Sequence, residues 1–311
     1  MRLERFRFRA MGSPCEFLFF GASRPSLAPI VEACGREILR LERKFSRYRE
    51  DSLASRINRS AGDPAGIRVD AETAALLDFA ETAHRESGGR FDPTSGVLRR
   101  VWDFRSGRLP DPVELEETLG LVGWSRLRWD RPRLVLPIAG MELDFGGFVK
   151  EYAADRVAEI ARRAGLGSGL VDLGGDLAVV GPRPGGAPWL VGIRDPRRPD
   201  AAIARFALAS GGLATSGDYE RCMIVDGVRY GHLLDPRTGR SHRSGPACVS
   251  VTAAHCLIAG ATATIAMLHS EDDAPDFLSR VGLPHLLVSQ SGELRGTMRR
   301  LPRRRTAFTN A

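Results

Sequence analysis

Over residues 25–46 apolar side chains recur every three or four positions: Leu27, Ile30, Val31, Cys34, Ile38 and Leu41. That spacing predicts a helix with one face turned inward. The same period returns over about 71–87, with Ala75, Leu76, Phe79 and Ala83 inward. It returns again after Gly146-Gly147, where Phe148, Tyr152, Ala153, Val157, Ile160 and Ala161 face in and Gly165 closes the last turn. Shorter helices are predicted over about 109–123, 256–268 and 273–281, and a helical piece within the polar connection 47–62. Between them lie short apolar runs of strand character. They are 15–21, near 126–129, 133–136 and 141–145, the pair in "GLVDLGGDLAVVG" (169–181), 188–193, 203–208, 222–234 and "ACVSVTA" (247–253). Short strands are predicted to end the chain. Helices and strands mix, many strands are hairpin-linked, and no regular βαβ repeat occurs. The class is α+β.

The 311 residues, 43% of them hydrophobic, suffice for a large core, read as one domain across 1–311 with a short basic tail from about 295. The formal net charge is +7, and only Lys44 and Lys150 are lysines among 45 basic residues. The densest basic run, "RGTMRRLPRRR" (295–305), reads as a solvated tail. No aromatic-plus-basic platform accompanies it, so no nucleic-acid partner is expected. A positive field also suits a ligand carrying phosphates. The five cysteines include no CxxC pair, so a reducing compartment fits better than a disulfide framework. No stretch approaches the ~20 apolar residues of a membrane span, and the only apolar run near the N-terminus is "FLFF". The expectation is a cytoplasmic protein without a membrane partner.

Four glycine pairs offer backbone N–H groups to a phosphate: Gly88-Gly89, Gly146-Gly147, Gly174-Gly175 and Gly211-Gly212. Several have an acid nearby, namely Asp92, Asp144, Asp176 and Asp218. A carboxylate beside phosphate-cradling loops takes a divalent metal or a ribose hydroxyl as partner; Asx-turn and helix-cap duty is the alternative. No Walker A, Rossmann or GxSxG pattern occurs, and no zinc ligand set. "GHLLDPRTG" (231–239) follows an Asp226-Gly227 hairpin and reads as a turn. Whether His232 and Asp235 do more is left open by these residues alone.

The order "MGSPCEF", "FSRYREDSLASRIN", "GGRFDPTSG", "VWDF", "LDFGGFVKEYAADRV", "VDLGGDLAVVG", "ATSGDYER", "GHLLDPRTG", "ATATIAM" resembles the ApbE family, the FAD:protein FMN transferases. The likeness runs from about residue 10 to 290. It implies an ApbE-like, T-fold-related fold of mixed sheets with packed helices. It implies FAD as substrate, Mg²⁺ as cofactor and transfer of FMN to a Thr or Ser hydroxyl of an acceptor flavoprotein, with release of AMP. By the same resemblance, FAD contacts fall on Met11, Tyr48, Arg90, Phe91, Asp92, Asp144, Lys150 and Leu234. His232 falls on the family's HxxDPxTG histidine, a general base for the acceptor hydroxyl; a neutral imidazole near pH 7 suits that task. Asp235, Pro236 and Thr238 then shape the turn that holds it. The metal contacts fall on the Gly147 carbonyl and on Thr264.

Three departures from the family pattern stand out. The usual "ADAxAT" is "AGATAT" (259–264), so Gly260 replaces a metal-ligand Asp; Asp176 and Asp218 are conceivable substitutes. The usual "KG" is Lys150-Glu151. Arg90 replaces a small residue, and is open between contacting flavin phosphate and pointing to solvent. The leading expectation is an FMN transferase. The alternative is an FAD-binding relative whose metal-dependent transfer is weakened or lost.

Overall fold

The computed structural model describes residues 1–218 and 222–301, so residues 302–311 of the basic tail lie outside the described residues. The described residues form two compact units, one within 1–42, 148–218 and 245–301, the other within 43–147 and 222–244. Seven helices are used below: α1 (Arg24–Phe45), α2 (Leu53–Arg59), α3 (Ala71–Glu86), α4 (Pro112–Leu119), α5 (Val149–Arg163), α6 (Cys256–Met267) and α7 (Ala274–Val281). All seven match predicted helices within a few residues. The mixture of helices and hairpin-linked antiparallel strands is α+β.

The first unit is built on an eight-stranded sheet. In spatial order its strands are Arg2–Ala10, Ser13–Gly21, Gly169–Leu173, Asp176–Gly181, Gly212–Gly217, Cys248–Ala253, His285–Val288 and Leu294–Arg295. Its ladders are antiparallel. The central strands are buried on both faces, which is why 176–180 is nearly a continuous apolar run rather than an alternating one. Helices α5 and α6 lie against this sheet. Leu18, Leu177, Val179, Leu213 and Val288 pack instead on Trp189, Ile193, Phe206 and Leu208 of the hairpin Trp189–Asp195/Arg198–Leu208.

The strand Arg2–Ala10 is not among the predicted elements. Its pattern does have period two. Phe6 and Phe8 pack on Phe19 and Phe17, while Arg5 and Arg7 pair with Glu16. Charges on this edge strand discourage pairing with another chain.

The second unit holds α2, α3, α4, a 3₁₀ helix over Pro93–Arg100 and a small ladder of Ile67–Arg68, Arg128–Asp130 and Arg133–Val135. Leu98, Trp102, Leu115, Met223 and Leu234 form a core cluster in it. The strand expected at 141–145 does not form. Leu143 instead pairs with a side chain: Asn58 Nδ2 donates to Leu143 O at 3.1 Å and Leu143 N donates to Asn58 Oδ1 at 2.8 Å. All five cysteines lie outside disulfides. Among the described residues no helix is long and apolar enough to cross a membrane.

Candidate active site

In the first unit Met11 and Gly12 form the two-residue turn between the first strands, both with positive φ (49° and 71°). Such a turn matches the twist of a hairpin, but Met11 is a rare residue for that conformation. Its N–H donates to Glu42 Oε1 at 3.1 Å. The Gly174-Gly175 turn is built the same way, with φ of 68° and 93°. Asp172 Oδ1 accepts from Gly175 N at 2.8 Å and fixes it. A Cβ on Gly174 would lie 2.7 Å from Ser13 Cβ, so glycine is required for that approach.

Lys150, in the first turn of α5, reaches the buried Asp176 at 2.8 Å. Burial opposes its charge. The carboxylates of Asp176 and Glu151 outweigh that and hold the ammonium above its ordinary range. Asp176 is thereby engaged with Lys150, and Asp218 accepts from Gln290 Nε2 at 3.2 Å.

Thr264 lies on α6, where its hydroxyl shares a 2.9 Å hydrogen bond with Ser216 Oγ. One turn earlier, the buried Gly260 leaves room that Glu151 of α5 fills. A Cβ at 260 would lie 2.6 Å from Glu151 Cγ and 2.8 Å from Glu151 Oε1. Glu151 is only 9% exposed, and its Oε2 is buried with no hydrogen-bond partner among the described residues. Burial pushes this carboxyl above the usual range, Asp176 adds to the rise, and Lys150 opposes it. Glu151 and Gly260 are two separate departures in the sequence; the fold brings them into contact. No group of three or more His, Cys, Asp or Glu side chains suited to a metal occurs among the described residues.

In the second unit Asp144 accepts from Gly146 N at 2.8 Å and approaches Arg47 Nη1 at 3.4 Å. Arg47 also pairs with Glu142 at 2.7 Å, so it orders this segment without having been singled out from the sequence. Gly147 is exposed, and a Cβ there would meet none of the described residues within 4 Å. In the loop 90–92, Phe91 is buried and its carbonyl lies 3.1 Å from His84 Nδ1. Asp92 is engaged at both oxygens. Oδ1 takes Thr94 N and Oγ1 at 2.8 and 2.5 Å, and Oδ2 takes Trp124 N at 2.9 Å. Arg90 is partly buried and reaches Ser87 O at 3.4 Å. Tyr48 is 87% exposed, its ring against the Arg47 guanidinium.

His232 is half-buried, and its carbonyl accepts from Arg99 Nη2 at 3.1 Å. The following turn is tightly held. Leu234 is buried and bridges to Ser241, and Asp235 N donates to Arg240 O at 2.8 Å. The Asp235 carboxylate accepts from Arg237 N, Nε and Nη2 at 2.9, 3.0 and 2.7 Å. Burial alone would raise Asp235; the Arg237 contacts prevail and hold it below the usual range. Trp102 Nε1 closes the far side on Gly239 O at 2.8 Å. Asp235 is thus a turn-former, as its place before Pro236 suggested.

The pattern of the ApbE family matches residues 11–287. This chain belongs to the ApbE family. The FAD:protein FMN transferase of Treponema pallidum is 33% identical over 279 residues, covering 82% of this chain and 75% of that protein. The FAD:protein FMN transferase of Vibrio cholerae is 27% identical over 256 residues, 80% of this chain and 76% of the relative. Among solved structures, the ApbE protein of Thermotoga maritima superposes with a TM-score of 0.87 at 32% identity, covering 95% of this chain and 97% of that one. The Pseudomonas stutzeri flavinyl transferase ApbE, in its apo form, gives 0.84 at 28% identity, with 95% of each chain covered.

Proposed function

We propose that this ApbE-family chain transfers the FMN half of FAD to a Thr or Ser hydroxyl of an acceptor flavoprotein and releases AMP. The observation that carries this reading is the similarity, over about four fifths of the chain, to proteins named FAD:protein FMN transferase. In the step, the acceptor oxygen forms a bond to the phosphorus of the FMN half. The bond from that phosphorus to the bridging oxygen breaks, and AMP leaves carrying that oxygen. His232 takes the proton of the acceptor hydroxyl. Its backbone carbonyl is held by Arg99, and the turn that follows is held by Asp235.

Met11, Tyr48, Arg90, Phe91, Asp144, Lys150 and Leu234 are the FAD contacts in this reading. Lys150 brings positive charge to the pyrophosphate, and Asp92 acts by fixing the loop that presents Phe91. The work is mostly positioning and charge neutralisation, as in other phosphoryl transfers. Mg²⁺, when bound, supplies further positive charge to the pyrophosphate oxygens. The Thr264 hydroxyl and the Gly147 carbonyl are hard oxygen donors suited to it.

The test incubates the purified protein with FAD, Mg²⁺ and a candidate acceptor, and follows covalent flavin fluorescence on the acceptor together with AMP. If neither covalent flavin nor AMP arises with any acceptor, the transferase reading is wrong. Gly260 favours a second reading, an FAD-binding relative that no longer transfers. It predicts FAD quenching that is indifferent to EDTA.

A further inference from the structure

We propose that Glu151 is a divalent-cation ligand, its carboxylate reaching from α5 across Gly260 to share a cation with the Thr264 hydroxyl. The inference rests on the transferase reading for the identity of the cation, Mg²⁺, but its geometry stands on this chain alone.

Four observations meet at one place. Glu151 Oε2 is buried and has no hydrogen-bond partner among the described residues, in a residue only 9% exposed. A buried polar oxygen left unsatisfied is costly, so such an atom calls for a partner that the polypeptide does not supply. The side chain can lie there only because residue 260 has no Cβ, which would sit 2.6 Å from Glu151 Cγ. Gly260 and Thr264 are four apart on α6 and therefore share a face, with Glu151 over the first. Ser216 holds the Thr264 hydroxyl at 2.9 Å, which leaves lone-pair capacity on that oxygen for a cation.

The chemistry of the donors selects the ion. One carboxylate and one hydroxyl, with no His or Cys cluster among the described residues, suit a hard cation rather than a transition metal. Mg²⁺ in particular keeps several waters and is held by one or two carboxylates plus substrate phosphates. Beyond the Gly147 carbonyl, the remaining ligands are waters and the FAD pyrophosphate, so cation binding strengthens when FAD is present. Glu151 and Gly260 thus form a reciprocal pair, in which the carboxylate arises on α5 and the space for it on α6. Gly260→Asp alone is not a restoration, because its side chain would meet Glu151.

The test titrates Mn²⁺ into the full-length protein with FAD and follows loss of the free Mn²⁺ EPR signal. Wild type, Glu151→Gln and the exchange variant Glu151→Gly/Gly260→Asp are compared. Removing outer partners of metal ligands already costs about 10–100-fold in affinity, so Glu151→Gln is expected to weaken Mn²⁺ by about 100-fold or more. The exchange variant returns Mn²⁺ affinity to within about 10-fold of wild type. Unchanged Mn²⁺ affinity in Glu151→Gln overturns the proposal, and so does a wild type that binds no Mn²⁺ beside FAD. Should Glu151→Gln not fold, Glu151→Ala is read the same way: Mn²⁺ affinity weakened by about 100-fold supports the proposal, and unchanged affinity overturns it. Failure of the transferase reading looks different: Mn²⁺ bound through Glu151 with no AMP released to any acceptor.

Discussion

Gly96 lies so close to Asp144 that a Cβ on the glycine would overlap the Cβ of the aspartate. The backbone is tied at the same place, since Asp144 N donates to Pro93 O at 3.0 Å and Arg47 Nη1 to Gly96 O at 2.5 Å. Gly96→Ala therefore pushes Asp144 out of position. The expected loss of stability is about 1–3 kcal/mol, the range of an overpacked site, and FAD affinity falls with it. Thermal melts and flavin quenching check this. A Gly96→Ala protein with wild-type FAD affinity would separate Asp144 from flavin binding.

The Lys150–Asp176 pair gives a second prediction. Asp176 is buried, and the Lys150 side chain is 25% exposed. Breaking a fully buried pair costs ~3–5 kcal/mol, and partial exposure of the lysine lowers that to about 2 kcal/mol for Lys150→Met. In the transferase reading the same change removes a charge that faces the pyrophosphate. FAD affinity should fall while riboflavin affinity, which involves no phosphate, should not. Parallel titrations with the two flavins read the difference.

How much of this was legible beforehand depends on the range of the interaction. The helices and the Gly174-Gly175 and Asp226-Gly227 hairpins were readable because their signals are local periods and turn residues. The turn role of Asp235 was readable for the same reason. The strand Arg2–Ala10 was hidden because arginines at alternate positions look like a charged tail until a partner strand supplies Phe17 and Phe19. The extended segment at 141–145 looked like a strand because its pattern is one; only the fold reveals that Asn58 takes the neighbour's place. The Glu151–Gly260 contact is long-range, so sequence displayed two oddities and no link between them.

Asp172 makes stability depend on pH. Burial is the largest cause that raises it, to about 6, with Asp176 and Glu16 adding like charge and Lys150 and the Gly175 N–H opposing. Glu16 is its direct neighbour across the ladder, where like charges repel. The folded carboxyl therefore keeps its proton after the unfolded one, near 3.9, has lost it. Its contribution is fully present below the unfolded value and is lost as pH rises through about 6. Asp172→Asn keeps an oxygen for Gly175 N and removes the titration. The variant should melt several degrees above wild type at pH 7, with the gap closing toward pH 4. An equal gap at both pH values would contradict the assignment.

The last prediction separates chemistry from binding at His232. Its neighbours Leu234 and Asp235 belong to a turn that is already satisfied by Arg237, Arg240 and Ser241. His232→Ala therefore leaves the turn standing and FAD binding close to wild type. If His232 is the base, AMP release with acceptor falls by about 10²–10⁴, the usual worth of a positioned proton acceptor. Asp235→Ala acts differently. It takes away the oxygens that hold Arg237, costing about 1–3 kcal/mol of stability through the unpaired groups left behind. Transfer then falls less, because the imidazole remains and only its mount loosens. The pH profile tells the two apart. In Asp235→Ala the rate keeps the wild-type pH dependence, and in His232→Ala that dependence vanishes. A His232→Ala enzyme that still shows it would move the base to another residue.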